Sequence, residues 1–404
     1  MSRRVLMTTT AYPPSVGGVQ GYLADLCANL RSFEPDVVSL WLETRTDWLL
    51  GTTLRLAKSE PEAARGVHHL SWSRATRARM APWVLAYYFS VPLAGPRIAS
   101  RMAPQLDRLV TPDHALIHSH RIGREFLAQA SLTVARKRGL PFVLSPYHHP
   151  RWRGYLYSGW TAVYKAADAV LTLTKAEARE LEQLGVVQDR LHVVGGAADD
   201  PLPGSAERFR ARLGIADEPL VVFLGQLYEY KGAARLLAAA DALRARGVKL
   251  QLAFLGPETP HSRRLFARST RQWVHVLGRV DPQTKWDALE AASLLCVPSA
   301  QESLGLVYLE AWSKGKAVIG GRIPAVAEVV TEGKTGLLVD PRSVPELEQA
   351  LDRLIADPAL AARLGAAGRE ELAARFAWRQ VAARVEAVYD QVLENSGRRA
   401  HAAS

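Results

Sequence analysis

Only two cysteines occur in 404 residues, Cys27 and Cys296, far apart and each in an apolar segment. Two thiols so placed make neither a disulfide framework nor a zinc cluster, and they fit a reducing cytoplasm. A long apolar run is also missing. The most membrane-like stretch, Ala81 to Pro96 (APWVLAYYFSVPLAGP), is shorter than the roughly 20 residues a spanning helix needs and holds Pro82, Pro92 and Pro96. The opening MSRRVLMTTTAYPP is too short in apolar residues for a secretory leader. Acidic residues are scarce in one region. Residues 65–165 hold 15 Lys and Arg against 3 Asp and Glu, an excess of 12 that accounts for the whole +11 of the chain. That balance suits an anionic partner, either lipid headgroups or a phosphorylated acceptor, with nucleic acid a weaker fit. It equally suits a solvated basic face in an Arg-rich chain.

The length fits two or three domains, and 48% hydrophobic residues supply a core for each. Short β-branched and leucine runs alternate with helical stretches, the pattern of doubly wound parallel sheets. Strands are expected near Arg4–Thr8, Asp36–Leu40, Val67–Leu70, Ala115–His118, Phe142–Ser145, Ala169–Leu173 and Leu191–Val194. The turn-rich GGAADDPLPGS (Gly195–Ser205) interrupts the alternation. It resumes with strands at Leu220–Leu224, Gln251–Leu255, Val274–Leu277, Leu294–Val297, Ala317–Gly320 and Gly336–Val339. A helical tail follows, whose last helix, Trp378–Leu393, is expected to cross back to the first domain.

The densest chemistry lies in SAQESLGLVYLEAWSKG (Ser299–Gly315). On one continuous helix Glu302 and Glu310 would stand about 80° apart in azimuth and about 12 Å apart in rise, too far for a hydrolase-type carboxylate pair. A helix starting near Leu304 puts Glu302 in the preceding loop. The amides of Ser303, Leu304, Gly305 and Leu306 then form an anion site, with Gly305 admitting close approach. An ordinary amphipathic helix with solvated glutamates explains either Glu alone, but not the whole string.

ESLGLVYLEAWSKGKAVIG resembles the EX7E signature of family 4 retaining glycosyltransferases (glycosyl transferases group 1 type) of the GT-B fold. VVFLGQLYEYKG (Val221–Gly232), LGRV (Leu277–Val280) and GRIPAVAEVVTEGKTGLLVDP (Gly321–Pro341) resemble further blocks of that family. So, more weakly, do AYPPSVGGVQGYLADLCANL, IHSH, PFVLSPYHHP and ADAVLTLTKAEARELEQLGV. The resemblance covers about residues 3–395. It implies two Rossmann-like domains facing across a cleft: an acceptor domain over 1–198, joined by the returning helix 378–395, and a donor domain over 206–377.

Carried over by position, it implies that Glu302 holds donor-sugar hydroxyls and Glu310 the nucleotide ribose. The amides from Ser303 to Leu306 would meet sugar and diphosphate, and Lys231 would neutralise the diphosphate. Gly17 and Gly18 would let the first loop close. Gly225 and Gln226 fall in the first donor-domain loop, and Gly278, Arg279 and Val280 in the base-binding turn. A fixed ammonium and helix amides aimed at a departing diphosphate lower the barrier electrostatically. Two positions depart from the pattern. Gln226 stands where the family has Arg, and Tyr147 stands where it has a histidine of the catalytic region. His148 or His149, directly after, could take that role after a shift of the loop, or the Tyr147 hydroxyl could donate instead, the plain alternative being polar loop residues.

His118 and His120, two apart on a strand, share one side of it. They are read as cleft-lining or structural rather than as metal ligands, since no third ligand is evident. Asp199–Asp200 has the wrong spacing for a DxD metal site. The resemblance implies transfer of a hexosyl group from a UDP-, GDP- or ADP-sugar to a hydroxyl with retention, in glycolipid, polysaccharide or cell-envelope glycan synthesis. It implies no metal and no cofactor besides the nucleotide-sugar co-substrate. The acceptor is a sugar, a lipid-linked group or another hydroxyl, and the location is the cytoplasm or the inner face of its membrane. Two other readings stay open: an enzyme of this fold acting on the sugar nucleotide itself, as an epimerase or by phosphorolysis, and a catalytically weak nucleotide-sugar binder. No GxGxxG follows the first strand, which argues against a dehydrogenase. Arg74–Arg101, aromatic at its centre and arginine-flanked, reads either as a segment lying on an anionic membrane or as a buried helix with solvated arginines.

Overall fold

A computed structural model of the chain describes residues 3–13, 18–41, 67–70, 72–120, 125–148, 157–198, 201–267 and 271–403. It forms two compact units, Met1–Gly195 with Trp378–Ser404, and Gly196–Ala377. Each is an α/β unit on a parallel sheet, as the alternating pattern predicts.

In the first unit the strands are β1 (Arg3–Ala11), β2 (Phe33–Trp41), β3 (Val67–His69), β4 (His114–His120), β5 (Phe142–Ser145), β6 (Ala169–Thr172) and β7 (Leu191–Val193). Their order is β3-β2-β1-β4-β5-β6-β7. The chain builds outward from β1, then crosses over and builds the other way from β4. Ligands of such sheets bind at the C-terminal ends of the strands, where this reversal leaves a crevice. β4, β5 and β6 are almost wholly buried because helices cover both faces, which is why they read as apolar runs rather than as alternation.

Trp378–Ala403 forms a helix of 26 residues that belongs to this unit and continues past the expected end at Leu393. Val381, Val385, Val388, Tyr389 and Val392 form its buried stripe. Arg3 pairs with Asp390 at 2.6 Å, and Glu386 accepts from the amides of Arg31 and Ser32. The arginine-rich segment is two helices, Arg74–Tyr87 and Val91–Leu109, rather than one. The buried-helix reading needs correction on two points: Arg77 is buried rather than solvated, and of the aromatics Tyr87 is buried while Tyr88 and Phe89 are exposed.

The second unit holds β8 (Leu220–Leu224), β9 (Gln251–Leu255), β10 (Val274–Gly278), β11 (Leu294–Val297), β12 (Ala317–Gly321) and β13 (Leu337–Val339) in the order β10-β9-β8-β11-β12-β13. Its reversal lies between β8 and β11. No helix among the described residues is long and apolar enough to cross a membrane.

Candidate active site

β8 gives way to Gly225, whose φ of 140° suits only glycine. The chain bends through Gln226 and buried Leu227 into the short turn Glu229–Lys231, and Gly232 opens the helix Ala233–Ala245. Gly232 has φ 86°, and a Cβ there would come within 2.7 Å of the Pro298 carbonyl. That contact brings the β8 loop against the β11 loop. The Ala300 amide donates to the Tyr230 carbonyl at 2.8 Å and closes the same seam.

Across this seam Lys231 Nζ meets Glu302 Oε1 at 2.5 Å, with both side chains largely shielded. Glu302 lies in the loop after β11, as expected. The helix, however, runs from Leu306 to Ser313, not from Leu304. Gly305 takes φ 93° at its N-cap, a left-handed conformation that cannot continue a helix, so Ser303, Leu304 and Gly305 precede it. Among the described residues nothing accepts from the amides of Leu304, Gly305 and Leu306. The amides expected to form an anion site therefore sit in a loop-plus-helix cradle rather than in a first helical turn. Tyr308 braces it from below, its hydroxyl donating to the Val297 carbonyl at 2.7 Å.

Glu310 projects from the same helix, and Lys285 Nζ reaches its Oε1 at 2.7 Å. Lys285 is a partner of Glu310 that the sequence did not reveal: it is 25 positions away and reads as an ordinary helix lysine. Each of the two glutamates thus carries its own lysine. The neighbouring strand ends are tied together. Gly225 N donates to the Leu255 carbonyl and Gly256 N to the Gly278 carbonyl, so Gly225 and Gly278 line up on one edge. Arg279 after Gly278 is exposed and Val280 half-buried, and Gln226 is half-buried beside Lys231's loop.

The first unit gathers a second cluster at the ends of β4 and β5. His118 Nδ1 lies 2.6 Å from the Tyr389 hydroxyl, and its Nε2 2.9 Å from Ser145 Oγ. His120 Nδ1 lies 2.8 Å from the Tyr147 hydroxyl, and its Nε2 has no partner among the described residues. Tyr147 has φ 49°, the one positive φ outside glycine among the described residues. His118 and His120 are buried rather than lining a surface. Burial pushes His120 down to about 3; burial and then the charge of His120 push His118 well below its ordinary value. Burial also raises the Tyr147 phenol well above its usual range.

His148 is buried, and its amide donates to Glu177 Oε1 at 2.7 Å while the Leu173 amide donates to Oε2 at 2.8 Å. Burial raises Glu177 to about 7, against the pull of those two amides. Glu177 was missed, although Thr174-x-x-Glu177 is a capping-box pattern and the Thr174 hydroxyl does accept from the Glu177 amide. Gly18 begins the helix Gly18–Asn29 and is exposed. Gly17, His149 and Asp199–Asp200 lie outside the described residues.

Residues 17–197 match the glycosyl transferase 4-like domain, and residues 205–371 match glycosyl transferases group 1. Alpha-maltose-1-phosphate synthase of Mycolicibacterium smegmatis is 32% identical over 314 residues, covering 69% of this chain and 79% of that protein. The chain belongs to the group 1 glycosyl transferases. This glycosyl transferase is also similar to D-inositol 3-phosphate glycosyltransferase 1 of Catenulispora acidiphila, at 30% identity over 70% of this chain and 73% of that one. Among solved structures, Anabaena HepE in complex with UDP and glucose superposes with a TM-score of 0.75 at 17% identity, over 96% of this chain and 100% of the other. Sucrose-phosphate synthase of Thermosynechococcus elongatus gives 0.71 at 18%, over 97% and 100%. These likenesses show the GT-B type of fold.

Proposed function

We propose that this glycosyl transferase moves a hexosyl group from a nucleoside-diphosphate sugar to an acceptor hydroxyl with retention of configuration, without a resident metal or cofactor. The observation that carries the reading is the seam of the second unit, where Lys231, Glu302, the unpaired amides of Leu304–Leu306 and Glu310 share one sheet edge. A nucleoside diphosphate sugar offers each a partner. The amides and Lys231 take phosphate oxygens, Glu302 accepts from sugar hydroxyls and Glu310 from ribose hydroxyls.

In the transfer the bond from the sugar C1 to the β-phosphate oxygen breaks, and its electron pair stays on that oxygen. The acceptor oxygen bonds to C1 on the same face, and the acceptor proton passes to the departing phosphate oxygen. Nucleoside diphosphate leaves and no redox partner is needed. The growing phosphate charge is met by groups already in place, which is where such a site lowers the barrier most. HepE is solved with UDP, and relatives are named for phosphorylated sugars and inositols, which supports a diphosphate donor and a polar hydroxyl acceptor. We assign the product to glycolipid, polysaccharide or envelope glycan synthesis. A thermal-shift panel of UDP, GDP, ADP and their sugars tests the donor. Stabilisation by one nucleotide series, lost in Glu310→Ala, supports the reading. A flat response to every nucleoside diphosphate overturns it.

A further inference from the structure

The turn joining the Arg74–Tyr87 and Val91–Leu109 helices holds an exposed apolar tip. Leu85, Tyr88, Phe89 and Leu93 are 57%, 54%, 88% and 49% exposed. The other large exposed hydrophobics among the described residues, Val187, Val193, Leu202 and Tyr228, are spread over other elements, which is ordinary for a surface.

The tip is firmly held. Tyr88 N donates to the Leu85 carbonyl, Phe89 N and Ser90 N to that of Ala86, and Ala94 N to that of Ser90. Its inner side is core: Met80, Val84, Tyr87, Ala94 and Ile98 are buried. Tyr87 packs edge-on against Phe126 at 5.9 Å. Phe126 begins the helix Glu125–Arg138 that follows β4, so the tip stands at the C-terminal edge of the sheet, the edge where His120 and Tyr147 sit.

From Arg74 to Leu106 the two helices carry basic residues and no acidic ones. Arg74, Arg79, Arg97 and Arg101 are exposed, and no Asp or Glu occurs between Glu62 and Asp107. Arg97 folds over the Trp83 ring at 4.4 Å and donates to the Leu93 carbonyl at 3.0 Å, which holds a guanidinium beside the apolar tip. Exposed aromatic and aliphatic side chains with Arg97 at their side and further arginines along both helices match the interface of an anionic bilayer, where the rings enter the headgroup layer and the guanidiniums meet phosphates. A second copy fits less well, because a symmetric contact would bring two Arg97 guanidiniums and two basic helix pairs together with no acidic residue between Glu62 and Asp107 to pair with them.

We propose that this tip inserts into the headgroup region of an anionic bilayer and seats the first unit with its C-terminal sheet edge toward the lipid. The seat does not depend on the donor chemistry. If the transfer reading holds as well, it presents that edge to a lipid-borne hydroxyl.

The test is co-sedimentation of the full chain with phosphatidylcholine vesicles, with and without about one-third phosphatidylglycerol. The expected result is binding to the anionic vesicles only, released by high salt. Phe89→Ser with Leu93→Ser should weaken that binding roughly ten-fold, and Arg97→Glu with Arg101→Glu should abolish it. Because these side chains are exposed, the thermal unfolding and nucleotide-induced shift of the double-serine variant should match wild type, which separates this proposal from the donor assignment. Equal binding by wild type and the double-serine variant, or no preference for the anionic vesicles, would overturn it. So would a concentration-dependent dimer in sedimentation velocity that the double-serine variant breaks, since the tip would then be a contact between copies.

Discussion

The imidazoles of His118 and His120 lie with ring centroids 3.9 Å apart, and each is tied to a different tyrosine, Tyr389 from the last helix and Tyr147 from the loop after β5. Both rings are buried and held neutral. The pair therefore links the returning helix, β4 and β5 at one sheet edge, and makes the first unit sensitive to acid.

The sign follows from proton uptake. Both histidines titrate far below 6.5 when folded, so between 6.5 and the folded values the unfolded chain binds protons that the folded chain does not. Their contribution is present above about pH 6.5 and lost as pH falls, by up to about 1.4 kcal/mol per pH unit for each histidine. Glu177 acts oppositely. Raised from 4.5 to about 7, it contributes below 4.5 and that contribution is lost as pH rises through 7. The pair outweighs it, so the urea midpoint should drop from pH 7 to pH 5. His120→Asn, which keeps a partner for Tyr147, should make that drop shallower. An unchanged slope in His120→Asn would remove this histidine from the account.

Glu177→Gln gives a complementary expectation. Both carboxylate oxygens accept from backbone amides, and an amide side chain can satisfy only one of them. Stability at pH 7 should fall by about 1–3 kcal/mol. The acid-side drop should steepen, because the opposing titration is gone. Urea titrations at three pH values measure both effects.

The strand runs were legible because the physics behind them is local. LVVFL, QLAFL and LLCV are buried on both faces, and each strand lies at its expected place. What was not legible depends on distant contacts or on a single dihedral. Gly305 marks the helix start only through its φ of 93°, so the start was placed two residues early. The partner of Glu310 is set by tertiary packing, and Lys285 carries no local signal. The break over Tyr88–Ser90 begins just after buried Tyr87 and leaves Tyr88 and Phe89 exposed, and aromatic content alone does not distinguish them.

In the donor seam, Lys231→Met should leave Glu302 shielded without its cation and the leaving diphosphate without its ammonium. Transfer should slow by about 100-fold or more, in line with the loss of one preorganised charge contact. Glu302→Gln should lower turnover more than nucleoside diphosphate affinity. Glu310→Ala should instead cost about 1.5–3 kcal/mol of nucleotide affinity. Calorimetry with the nucleoside diphosphate separates the two glutamates. Equal, wild-type affinity in both variants would remove this seam as the donor site.

If the proposed reading holds, Lys231 and the cradle amides would meet the diphosphate charge, and activity should persist in EDTA. Loss on chelation with recovery on adding a divalent ion would reopen the roles of His118, His120 and the Asp199–Asp200 pair.

Gln226 sits on the bend after Gly225, in the loop that delivers Lys231, and its own amide side chain brings no charge. Under the proposed reading, this loop would meet the diphosphate with one side-chain cation, Lys231, where the resemblance implies two. An arginine there has a planar fork suited to two phosphate oxygens, and it enters a half-buried position rather than a closed core. Gln226→Arg should raise kcat/KM, by up to about ten-fold if the fork gains one charge-assisted contact. The gain should shrink in Lys231→Met if the two cations share the same phosphate, which a double-mutant cycle would detect. The Lys231–Glu302 pair constrains how the gain can appear. A guanidinium that displaced Lys231 from Glu302 would raise nucleotide affinity while lowering turnover, because Glu302 would lose its position against the sugar. Measuring kcat and KM separately distinguishes the two cases. Strong inactivation with an intact fold would mean that the loop is shaped around glutamine for a different donor geometry.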